Sequence, residues 1–63
     1  MKELKGTILL KGKLVYVYME NNFNPVIENK RMLERNECIV QRINSWVILC
    51  IMTGSFKLIF RMD

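Results

Sequence analysis

The stretch SWVILCIMTGSFKLIF, Ser45 to Phe60, is the densest apolar run in the chain, and its reading decides the fold. A membrane-spanning helix needs about 20 predominantly apolar residues. Ile43 to Phe60 approaches that length, with Trp46 near one end and Lys57 and Arg61 at the other, where interfacial anchors would sit. Three features oppose a span. Thr53-Gly54-Ser55 and Lys57 interrupt it, β-branched and aromatic residues dominate it, and its second half alternates with period two. A helix in lipid has no reason to alternate in this way, whereas a strand does. Two strands joined by a three-residue loop at Thr53-Gly54-Ser55 account for all three features. Phe56, Leu58, Phe60 and Met62 then share one strand face, opposed by Lys57, Ile59 and Arg61.

The first of these strands, Trp46 to Met52, is apolar on both faces and reads as an interior strand covered on both sides. The cover comes from a sheet curled into a small barrel, from a helix laid on one face, or from a second copy of the protein. Upstream, Thr7–Leu10 and Leu14–Met19 flank Lys11-Gly12-Lys13 and read as a β-hairpin with its tip near Gly12. Val15, Val17 and Met19 point one way along its second strand, and Leu14, Tyr16 and Tyr18 the other. Turn formers follow from Glu20 to Pro25. Asn24-Pro25 can open a helix, because Asn caps free N–H groups and Pro suits the first helical position. Val26 to Arg35 is then a short surface helix ended by Asn36, or an extended charged loop. Strand alternation resumes with Cys38, Val40 and Arg42 against Ile39, Gln41 and Ile43, before a turn at Asn44-Ser45. The expected fold is mainly β: a small curled antiparallel sheet or an SH3- or OB-like barrel of about five strands, with one short helix near 25–35.

At 63 residues the chain is one small domain, 1–63. Such a domain buries only about 60% of its unfolded surface, so its stability is marginal. An apolar fraction of 51% is generous for so little interior, and part of it is expected to face a partner, with self-association as the first expectation. Ten Lys and Arg against six acidic residues give a net charge of +4, which favours acidic partners or nucleic acid. Ala and His are absent while Ile, Asn, Lys and Met are frequent, the coding bias of an AT-rich genome, as in a phage, another mobile element or a low-GC bacterium.

Catalytic chemistry has little to work with. The usual general base is missing, and Glu3, Glu20, Glu28, Glu34, Glu37 and Asp63 show no paired acid/base spacing. Phosphate-loop and dinucleotide fingerprints are absent. Two cysteines cannot complete a four-ligand zinc site, so no metal or cofactor is expected. The N-terminal MKELKG lacks the features of a secretory signal, which makes a reducing cytoplasm the expectation, with both thiols free. Cys38 and Cys50 flank the Asn44-Ser45 turn. An odd loop centred on Asn44 sets them directly opposite, whereas a two-residue turn sends the thiols to opposite faces.

Two candidate surfaces remain. In the charged segment Glu28–Arg35, the residues Arg31, Met32, Leu33 and Arg35 offer adaptable apolar anchors amid Arg for a protein partner. Lys11, Lys13, Tyr16, Tyr18 and Arg42 offer aromatics and cations of the kind that stack bases and neutralise phosphate. The first surface leads to a small non-enzymatic protein-binding protein, an inhibitor, accessory factor or assembly subunit. The second leads to a single-strand-binding β module, and a membrane microprotein is the third reading.

Overall fold

The structure, a computed structural model, describes residues 2–20 and 24–62. Six strands and one helix follow in the order β1 (Lys2–Leu10), β2 (Lys13–Glu20), β3 (Asn24–Glu28), α1 (Lys30–Arg35), β4 (Cys38–Arg42), β5 (Trp46–Met52) and β6 (Ser55–Met62). They form two antiparallel three-stranded sheets, β1-β2-β3 and β4-β5-β6, rather than a closed barrel. The fold is therefore mainly β with one short helix. No helix among the described residues is long and apolar enough to cross a membrane.

Two of the hairpins turn on two residues in the left-handed region. Leu10 pairs with Lys13 around Lys11 (φ 48°) and Gly12 (φ 79°), and Met52 pairs with Ser55 around Thr53 (φ 50°) and Gly54 (φ 85°). Positive φ at both central positions matches the twist of the flanking strands, which shortens the expected three-residue loop to Thr53-Gly54 and gives Ser55 to β6. Between β4 and β5 the loop is longer: Arg42 pairs with Trp46, leaving Ile43, Asn44 and Ser45. That odd loop brings Cys38 opposite Cys50, where they form a disulfide with Cα atoms 3.9 Å apart. The expectation of free thiols is thereby corrected.

The segment 24–35 also departs from its expected form. Asn24–Glu28 is an edge strand paired with β2, so the helix starts only at Lys30. Pro25 is tolerated there because β3 lies at the edge of its sheet, with no strand on its other side. The turn formers at 21–23 lie outside the described residues.

The inner faces of the two sheets share one core. Ile8, Val15 and Val17 from the first sheet meet Cys38, Ile48, Cys50 and Met62 from the second, and Leu33 closes the side. The alternation along β2 holds: Val15 and Val17 are fully buried, and Tyr16 and Tyr18 lie on the outer face. Alternation along β6 does not hold. Ile48 pairs with Phe60 but Leu49 pairs with Leu58, so Ile59 is an extra residue in a β-bulge. The bulge turns Phe60 and Met62 inward and leaves Phe56 and Leu58 outward, splitting the face that strict period two would have kept whole.

Candidate functional site

Asn29 directs the chain from β3 into α1. It sits in the left-handed region (φ 65°, ψ 38°), and its Nδ2 donates to the Leu14 carbonyl of β2 at 2.9 Å. At the other end Asn36 donates its backbone N–H to the Met32 and Leu33 carbonyls, and its Nδ2 to Met32 at 2.7 Å. Glu37, with φ 56°, then turns the chain into β4. A six-residue helix has little stability of its own, so these ties and the buried Leu33 hold it in place.

Beside the helix lies an open depression of about 540 Å³ lined by Lys13, Asn29, Lys30, Arg31, Met32 and Arg35. Four of these carry positive charge. None of the four is in an ion pair among the described residues, where the salt bridge present is Lys5 to Glu3 at 2.8 Å on β1. That ammonium holds the Glu3 carboxyl below the usual carboxylate range, through its hydrogen bond first and its charge second. Glu28 and Glu34 are exposed close by in sequence but do not line the depression. Uncompensated cations around the half-buried thioether of Met32 suit an anionic ligand with some apolar surface.

Three residues expected to meet a protein, Arg31, Met32 and Arg35, thus share one surface. Leu33 does not: at 1% exposure it belongs to the core, so it supports this surface from beneath and contacts nothing outside. The second expected set is divided. Lys13 joins the α1 depression, and Lys11 lies in the β1–β2 turn. Tyr16 and Tyr18 stand in register with Thr7 and Leu4 of β1 and with Glu28 and Val26 of β3, an arrangement of cross-strand packing. The Lys2 ammonium covers the Tyr18 ring at 5.0 Å. Arg42 is on the other sheet, its guanidinium 6.0 Å from the Trp46 ring centre.

A third feature is the outer side of β5, apolar as its sequence indicates and partly exposed in the single chain. The outer face of the second sheet carries Ile39, Leu49, Ile51, Phe56 and Leu58, with Ile43 at its end, and among them Ile39, Ile43, Ile51, Phe56 and Leu58 are 41–56% exposed. Among the described residues, no group of three or more His, Cys, Asp or Glu side chains is placed to hold a metal ion. No known protein family, curated protein or solved structure matches the chain.

Proposed function

We propose that this chain is a small non-enzymatic binding protein that docks an acidic partner protein at the depression beside α1, as an inhibitor, an accessory factor or a subunit of a larger assembly. One observation carries the reading: Lys13, Lys30, Arg31 and Arg35 converge on one open concavity around Met32, and among the described residues no carboxylate lines it or pairs with them. Like charges gathered without counter-charges repel one another, and an acidic partner relieves that repulsion. Arg supplies bidentate contacts to carboxylates, and Met adapts to an irregular apolar surface. The concavity is open, and a small molecule would be poorly enclosed there, which favours a macromolecular ligand.

A second reading rests on the same cations: the phosphate backbone of a nucleic acid, held by charge and without base stacking, because the tyrosines lie on a different face. Capture on the immobilised chain separates the two. The native chain is compared with Arg31→Glu/Arg35→Glu, whose changed positions are both exposed and leave the core intact. An acidic protein retained after nuclease treatment, released by raised salt and lost from the variant, supports protein docking. Retention of nucleic acid alone selects the second reading, and equal capture by both chains removes the depression from either.

A further inference from the structure

The outer face of the second sheet has a knob at one end and a hole at the other. At the β5–β6 turn, Ile51 pairs with Phe56, and both project outward, 41% and 49% exposed. At the opposite end Val47 pairs with Arg61, and an open hollow of about 190 Å³ lies there among Ile43, Val47, Leu49, Leu58 and Arg61, with the polar Asn44 and Ser45 completing its lining. An apolar cavity of about 150 Å³ takes a benzene ring. Val47 and Ile51 are four residues apart on β5, which separates knob from hole by roughly 13 Å. Midway between them lies the Leu49–Leu58 pair.

We propose that this face is a two-fold interface between two copies of the chain, with Phe56 of each copy seated in the hollow beside Val47 of the other. An isologous contact requires that if one residue touches a second, the second touches the first across the axis. A knob and a hole on the same face, about equally far from its centre, meet that requirement when the sheets stack antiparallel. Leu49 and Leu58 then lie at the axis and meet their own copies. Charge agrees with this occupant. Apolar residues pair like with like, charged ones do not, and Arg61 is the one charged side chain among the described residues of this face. Arg61 lines the hollow itself, where its guanidinium meets an incoming aromatic ring favourably rather than another cation.

The area sets the strength. Five half-exposed side chains of this size leave roughly 80 Å² each, so the pair of faces covers about 800 Å², the size of a weak, transient interface. A dimer in rapid exchange, with a micromolar dissociation constant, is expected. Burial in it also supplies cover to β5 on the side away from the core, and leaves the α1 depression free.

Sedimentation equilibrium of the native chain and of Phe56→Asp tests the interface, with Leu9→Asp as a control. Leu9 is 66% exposed on the outer face of the other sheet. The native chain and Leu9→Asp should dimerise alike, and Phe56→Asp should weaken association at least tenfold while keeping its circular dichroism. On dilution of the native chain, methyl signals of Val47, Leu49 and Leu58 should shift, a readout that needs no variant. A native chain that stays monomeric at the highest soluble concentration overturns the proposal. So does association that survives Phe56→Asp or is lost in Leu9→Asp.

Discussion

Gly6 shows how closely the two sheets approach. A Cβ added to it would stand 2.7 Å from the Phe60 ring, nearer than side-chain carbons come. The ring of β6 therefore rests on bare backbone of β1, and this contact depends on the bulge at Ile59, which turns Phe60 inward. Gly6→Ala should lower stability by about 1–3 kcal/mol in urea denaturation, as overpacking does. Gly6→Ala combined with Phe60→Leu should lose less than the two single changes added together, because the smaller side chain leaves room for the new methyl. Strict additivity would mean that the ring moves aside without cost. Nothing in the sequence around Gly6 announces this role: the glycine follows a register shift in which Lys5 is the extra residue of β1, and its partner ring is more than fifty residues away.

At the scale of elements, the turns divide into those that backbone chemistry requires and those that side chains merely allow. Gly54 has φ 85°, and a methyl group added there would meet nothing within 4 Å, so Gly54→Ala incurs a backbone penalty and no clash. It should cost about 1–2 kcal/mol in the same denaturation experiment, and Gly54→Asn, which tolerates the left-handed region, should recover part of that loss. An Ala variant as stable as the native chain would show that the turn is not held at positive φ. The strands on either side were legible for a related reason. β-branched runs punctuated by Lys-Gly and Thr-Gly pairs report local preferences, and local preferences are what a sequence displays directly. The bulge at Ile59, the edge strand at Asn24–Glu28 and the odd loop at 43–45 are settled by pairing between distant residues. Residue pattern alone therefore divided β6 wrongly and read β3 as a turn leading into a helix or a charged loop. The candidate site was legible in the same measure. Arg31, Met32 and Arg35 lie within one segment and emerged together. Lys13 alternates in phase with Val15 and Val17, so its place beside α1 follows only once α1 is known to pack on that side of the sheet.

For the whole molecule, the disulfide carries weight out of proportion to its one bond. A 63-residue domain with nine buried apolar residues among those described has a net stability of only a few kcal/mol. Cys38 and Cys50 are separated by 12 positions, and closing a loop of that order removes about 3 kcal/mol of chain entropy from the unfolded state. The β4–β5 hairpin already draws its own ends together, so the realised share is smaller, roughly 2 kcal/mol. In a domain of this size that corresponds to roughly 8–16 °C in the thermal midpoint. Reduction by a dithiol should lower the midpoint by about that amount, and intact mass under non-reducing conditions should be two hydrogens below the dithiol value. Cys38→Val/Cys50→Val separates the cross-link from packing. Both positions are buried, at 7% and 3% exposure, so the double variant keeps apolar cover and loses only the bond. Its midpoint should fall with that of the reduced native chain and should not respond to a dithiol. An unchanged midpoint on reduction would place the stabilisation in packing alone. The consequence reaches the candidate site, because Asn36 and Glu37 connect α1 directly to Cys38. The strand that anchors the wall of the basic depression is the same strand that the disulfide ties to β5, so loosening one loosens the other.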